Sequence, residues 1–396
     1  MGEFQEFAEA LFGQLGVELD EEREIAELAA RAREALPEGV RFGELEDVAD
    51  GILAECRQKA EGFLGVGVPE GIHIKFPELA ELKGIKGEKV FADGESRGFV
   101  RELFDAVSRE DRPGIAELME KDAAKYLVYS TYAIQYVSKI TTTYGDYLNS
   151  TIYLNRFILS RYPSIILQKQ GEPYESSFER VNSGYLGAVK MTVLEELVHS
   201  AQENLQRINM RAAEQVNRIN EELANIVLRL DTGAVNGLAE YCQLQAVPDD
   251  FPFAKRANLF FFLNPDHFLT EQIGPDVMTF THVEIDPKIG EAIPQLLGIY
   301  KRWLTPIQQH HAAFSVMEGM AAFAVESILK DDADFQAYLA TFMGTDFTSY
   351  QVRRGMGKDF VKAVFEERGR ESFRMIIDEP PTTRELKDPR AYLDRF

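Results

Sequence analysis

The segment Val193-Leu194-Glu195-Glu196-Leu197-Val198-His199-Ser200-Ala201-Gln202 places two carboxylates and an imidazole within one stretch of helical character. Glu195 and His199 are four residues apart, so on a helix they project from one face about one turn apart. That spacing lets two side chains hold a single metal ion. Glu196 adds a carboxylate offset by one residue. A carboxylate beside such an ion can take a proton from water whose pKa the ion lowers to about 7. The plainer reading competes with this one. In it the two glutamates line a solvated helix face, and His199 is a core or capping residue bonded to a neighbour.

The other histidines carry less. The chain has 6. His73, His267 and His282 fall in loop or strand contexts and read as structural or surface residues. His310 and His311 belong to a helix expected to begin near Pro306, a residue suited to a first turn. His311 shares a helical face with Glu318 and is a reserve ligand.

The chain resembles the gluzincin-type zinc metallopeptidases, whose active helix reads HExxH. Glu195-Glu196-Leu197-Val198-His199 matches that pattern with Glu195 in the place of the first histidine. Met317-Glu318-Gly319-Met320-Ala321 resembles the EGxA motif, whose glutamate is the third ligand. Thr151 to Asn155 resembles the edge strand that holds an extended substrate. Tyr350, Gly355, Phe360, Val361 and Gly369 resemble the tail of a prokaryotic HExxH/EGxA group, as do Pro380 to Leu386 and Pro389 to Tyr392. The resemblance covers roughly residues 150 to 395. It implies a metal site of Glu195, His199 and Glu318, with Glu196 as general base. It implies zinc as the ion and a peptide or protein as substrate. Gly319 and Ala321 would let their helix pack closely on the active helix. Two carboxylates in place of one weaken the preference for zinc over manganese or iron. They also predict weaker zinc binding and a less acidified water than in a standard site. Asn236-Gly237-Leu238-Ala239-Glu240 is a near-copy of EGxA, but asparagine is a poor zinc ligand. Glu318 is therefore preferred, with Glu240 as a substitute.

These residues need elements to position them. The hydrophobic periodicity predicts three amphipathic helices over 1 to 65, the last near Glu44 to Phe63. Ile72 to Phe76 alternates like a strand, within a region rich in Gly and Pro. Residues 97 to 143 read as helical and Thr151 to Asn155 as a strand. A loop follows, Lys169 to Tyr174, and then one long helical stretch from about 183 to 230 that carries the motif. A helix over Ala234 to Gln245 comes next. Leu259 to Leu263 reads as a buried strand or core segment. The ligand helix is expected over about 306 to 329, and a tail helix over Lys358 to Arg368.

Lys and Arg number 43 against 65 Asp and Glu, a formal net charge of −22. So negative a surface repels phosphate backbones, which argues against nucleic acid as a partner. Cys56 and Cys242 form no CxxC pair and are expected as reduced thiols. The sequence as given opens without a basic, then apolar, leader. No unbroken apolar run approaches the ~18 residues of a membrane helix. The expectation is a cytoplasmic protein that engages no membrane.

The reading is thus mainly α with a small β-sheet. A zincin-like metallopeptidase core over 126–396 follows an acidic helical N-terminal region over 1–125. The function expected is a metal-dependent, peptidase-like hydrolase. The alternative is a catalytically inactive pseudopeptidase kept as a binding or scaffold protein. A carboxylate-bridged di-metal oxidase draws paired Glu-x-x-His motifs from two helices. This sequence offers one, Glu196 to His199.

Overall fold

The structure, a computed structural model, describes Phe4 and residues 45–77, 94–109, 111–139, 144–155, 174–248, 251–264, 282–341 and 349–396. The first two helices expected near the N-terminus lie outside these residues, as do most of the loop before Tyr174 and His267. The described chain is mainly helical with a small three-stranded sheet.

Helix α1, Leu45–Leu64, leads to strand β1, His73–Lys75. Helices α2, Gly94–Ser108, α3, Arg112–Lys121, and α4, Ala123–Lys139, follow. Strands β2, Gly145–Leu148, and β3, Thr151–Leu154, form a hairpin. Asn149 and Ser150 both adopt positive φ, which suits the twist of a two-residue hairpin turn. The sheet order is β1-β3-β2, with β1 parallel to β3 and β2 antiparallel to it. Thr151 to Asn155 was expected as an edge strand. Instead β3 is central, so its ladder groups are already paired on both sides.

The long stretch expected from 183 to 230 is two helices, α5, Tyr174–Ser200, and α6, Glu203–Arg229. The break comes at Ala201-Gln202. Ser200 donates its hydroxyl to the Leu197 carbonyl at 2.6 Å, and the Ala201 and Gln202 amides donate to Val198 and His199. These short-range bonds tighten the last turn and end the helix.

Then come α7, Thr232–Tyr241, α8, Pro252–Leu263, and α9, Pro287–Ala292. The run Leu259 to Leu263 is therefore helical, not a strand. Leu259, Phe260 and Leu263 are buried while Phe262 is 37% exposed, a helical rather than alternating pattern. Helix α10 spans Leu296–Leu329, so Pro306 lies inside it rather than at its start. A proline missing its N–H is tolerated there because packing holds the helix on both sides; Trp303, Pro306 and Ile307 are all buried. By length and composition α10 could cross a membrane, which the absence of an unbroken apolar run did not suggest. Its apolar window is 67% buried within the protein, so that surface builds core here. The chain closes with α11, Ala333–Thr341, α12, Ser349–Arg368, α13, Glu371–Asp378, α14, Thr383–Lys387, and α15, Pro389–Leu393. A reciprocal capping box between Thr382 and Glu385 starts α14.

Two hydrophobic cores result. The first gathers α1, β1, β3, α5, most of α10 and α11 to α15. The second gathers α2 to α4, α7, α8 and the opening turns of α10. Helices α6 and α10 run through both: Leu205 and Val216 join the first core, and Leu223, Ala224 and Val227 join the second. Each core draws on residues from both sides of position 125. Cys56 and Cys242 are free thiols. Burial pushes the Cys56 thiol up to about 12, so it stays protonated and inert.

Candidate metal centre

The C-terminal half of helix α5 is largely buried. Ala188, Val189, Val193, Leu194, Leu197 and Val198 are fully buried. Glu195, Glu196 and His199 fall in its last two turns, where helix carbonyls point a negative dipole end at their surroundings. A cation is favoured there.

Helix α10 crosses this end of α5. The His199 Nε2 lies 3.8 Å from Glu318 Oε1. One donor atom each from Glu195, His199 and Glu318 lies within 4.8 Å of the other two. This is the one group of three such residues found among the described residues. The His199 side chain is 11% exposed, and those of Glu195 and Glu318 are 14% exposed. The donor set suits a divalent ion. Ligand atoms about 2.1 Å from a tetrahedral zinc stand about 3.4 Å apart, so small rotamer adjustments would close the group.

Gln202 holds the imidazole. Its Oε1 stands 2.9 Å from His199 Nδ1, and its Nε2 donates to the Met317 carbonyl at 3.1 Å. The amide nitrogen is committed to Met317, so the amide oxygen must accept from Nδ1–H. That fixes the tautomer and leaves the Nε2 lone pair facing Glu318. Gln202 thereby ties the imidazole to the backbone beside Glu318. Gln206 Nε2 donates to the His199 carbonyl at 2.8 Å and closes the helix end.

Glu196 is 8% exposed, and its Oε2 is buried without a hydrogen-bond partner. A buried carboxylate oxygen left unmatched is costly, and natural proteins keep few of them.

Glu195 meets a residue that the sequence did not single out. Arg354 of α12 donates from Nη2 to Glu195 Oε1 at 2.7 Å. The close crossing of α10 and α12 delivers this arginine. A Cβ on Gly319 would overlap the backbone of Gly357 and Lys358, and one on Gly357 would overlap the Ser315 carbonyl. Gly319 was expected to ease packing on α5; its close approach is to α12 instead. Arg354 sits one turn before Gly357, on the same face of α12. Its neighbour Arg353 donates from Nη1 to His311 Nδ1 at 3.0 Å and lies over the Phe314 ring.

His311 is not a member of the three-residue group. It is 1% exposed, and a guanidinium can only donate, so Nδ1 is the acceptor and Nε2 carries the proton. Burial first, then Arg353 and His310, hold its pKa well below 6.5. Glu240, the substitute ligand, is exposed on α7, and Asn236 bonds Lys255. Both lie away from the group. His73 is exposed on β1, bonded to Thr151, and His282 is exposed.

Gln202 and Arg354 were the two residues missed. Gln202 lies three residues after His199, but across a helix break that the periodicity did not show. A carboxylate in the place of a histidine signals a cation nearby, yet 43 lysines and arginines give no means of choosing one. Comparison with models of known protein families, with curated proteins and with solved structures finds no match.

Proposed function

We propose that this chain is a metal-dependent hydrolase of peptidase type. Glu195, His199 and Glu318 would hold the ion, zinc first, with manganese or iron as oxygen-tolerant alternatives. One observation carries the reading: three ligating side chains from two helices converge within 4.8 Å beside a buried, unpartnered carboxylate oxygen. When bound, the ion would polarise a scissile carbonyl and acidify a water. Glu196 Oε2 would accept a proton and pass it to the leaving amine. Gln202 would hold His199 in its ligating tautomer. A small sheet beside the motif helix, and a third carboxylate from a later helix, support a zincin-like arrangement. Because β3 is central, an extended peptide would have to pair with an outer strand, β1 or β2.

The test is metal content after dialysis, with Glu318→Ala run beside the parent chain and a peptide-library cleavage assay following. One equivalent of ion, lost in Glu318→Ala, supports the site. Cleavage lost in Glu196→Gln while metal is retained supports the base.

A second reading has its own observation. Arg354 already supplies a cation to Glu195. A pseudopeptidase would use that pair in place of a metal and keep the pocket for binding. It expects no ion even when zinc is offered at micromolar concentration.

A further inference from the structure

We propose that Arg354 is the charge-balancing partner of this metal centre and limits how tightly it binds a divalent cation. The inference rests on the metal-site reading above. The Arg354 guanidinium takes Glu195 Oε1 at 2.7 Å, while the Glu195 carboxylate also brings an oxygen within 4.8 Å of donor atoms of His199 and Glu318. Charge makes the arrangement intelligible. A doubly charged ion, two carboxylates and one guanidinium sum to one positive charge. The same ion with two imidazoles and one carboxylate also sums to one. Arg354 therefore restores the net charge that an imidazole at position 195 would have given, and it offsets the expected weakening of water acidification. The fixed cation also repels the incoming one. Both side chains are shielded, 23% exposed for Arg354 and 14% for Glu195, so solvent screens that repulsion only in part. The position is built in rather than incidental. Arg354 is carried by the helix whose backbone meets α10 at Gly319 and Gly357, next to Glu318.

The experiment is chelator competition with zinc alone on full-length protein stripped of metal. The proteins are the parent chain, Glu318→Ala, Arg354→Met, Arg354→Gln and Arg354→Lys, each checked by circular dichroism. Zinc affinity lost in Glu318→Ala establishes the site. Arg354→Met should then bind zinc about tenfold tighter or more, because a nearby cation has been removed. Arg354→Gln should follow it and serves if the methionine variant folds poorly. Arg354→Lys keeps the charge and should stay within about threefold of the parent. A second arm separates charge from packing. Glu195→His alone leaves Arg354 facing an imidazole and a metal, and should gain little zinc affinity. Glu195→His with Arg354→Met should gain it. Neutral Arg354 variants that bind zinc no tighter than the parent overturn the inference and leave the site standing. No zinc binding sensitive to Glu318 in any protein overturns the site and the inference together.

Discussion

The two cores treat buried carboxylates in opposite ways. In the second core Glu221 is half-buried, and its Oε1 accepts from Tyr129 at 2.7 Å and from Ser96 at 3.4 Å. Those donors come from α4 and α2, so the carboxyl fastens three helices together. In the first core Glu196 keeps an oxygen with no partner, and Glu195 is met by a cation, Arg354, rather than by a neutral donor. A carboxylate satisfied by neutral donors within the protein strengthens a fold. One held dry and unmatched has affinity left over for a proton or an ion.

The contrast is broken or sharpened by substitution at each. Glu196→Gln should cut turnover about a thousandfold while metal content is unchanged, as measured by initial rates and elemental analysis. Glu221→Gln should leave turnover within a factor of about two. If Glu221→Gln instead abolished activity, the assignment of chemistry to the first core alone would be wrong. Next in size is the helix crossing. Gly357→Ala forces a methyl against the Ser315 carbonyl and should cost about 3 kcal/mol by urea denaturation, with metal affinity falling as α12 shifts. Gln202→Leu frees the imidazole and should weaken zinc about tenfold in chelator competition. Gln202→Glu keeps an acceptor for Nδ1–H and should recover part of that loss.

The smallest effects are on the pH dependence of stability, and their signs oppose one another. Burial holds His311 well below 6.5, so the folded chain favours the neutral ring. The unfolded chain takes a proton as pH falls below 6.5, and stability contributed here is lost on acidification. Burial raises Glu221 above 4.5, against the lowering effect of Tyr129. Its contribution is full below 4.5 and is lost as pH rises through the raised value. Melting temperatures from pH 4 to 8 should therefore show less acid loss in His311→Phe and more in Glu221→Gln. An unchanged profile in either variant would show that its site does not couple to folding.

Much of the frame was legible in the chain. Helix α1, strands β1 and β3 and the helical placement of the motif all followed from local periodicity, because short-range patterning determines local structure; of α12 only Lys358 to Arg368 was read, and the turns from Ser349 that carry Arg354 and Gly357 were not. The misreadings occurred where local and distant forces disagree. Leu259 to Leu263 read as a buried strand or a core segment; it is core, but packing on α6 and α7 makes it a helix rather than a strand. Pro306 looked like a helix start because its missing N–H is harmless there, but a long buried helix absorbed it. Thr151 to Asn155 read correctly as a strand and wrongly as an edge, since an edge is defined by a partner distant in sequence, here His73 to Lys75.

The site divides the same way. The sequence by itself determined that Glu195, Glu196 and His199 share one helix with Glu195 and His199 on one face, because four-residue spacing and helical pitch leave no freedom; that the helix ends just past His199 appeared only in the structure. It also supplied Glu318 as a carboxylate on another helix. Only the tertiary structure decided that Glu318 meets His199, that Gln202 turns the imidazole toward it, and that Arg354 claims Glu195. The physical reason is range. Pitch acts over a few residues. The approach of α10 to α5 and α12 depends on glycines and buried faces far apart in the chain, and no local pattern records which of them will touch.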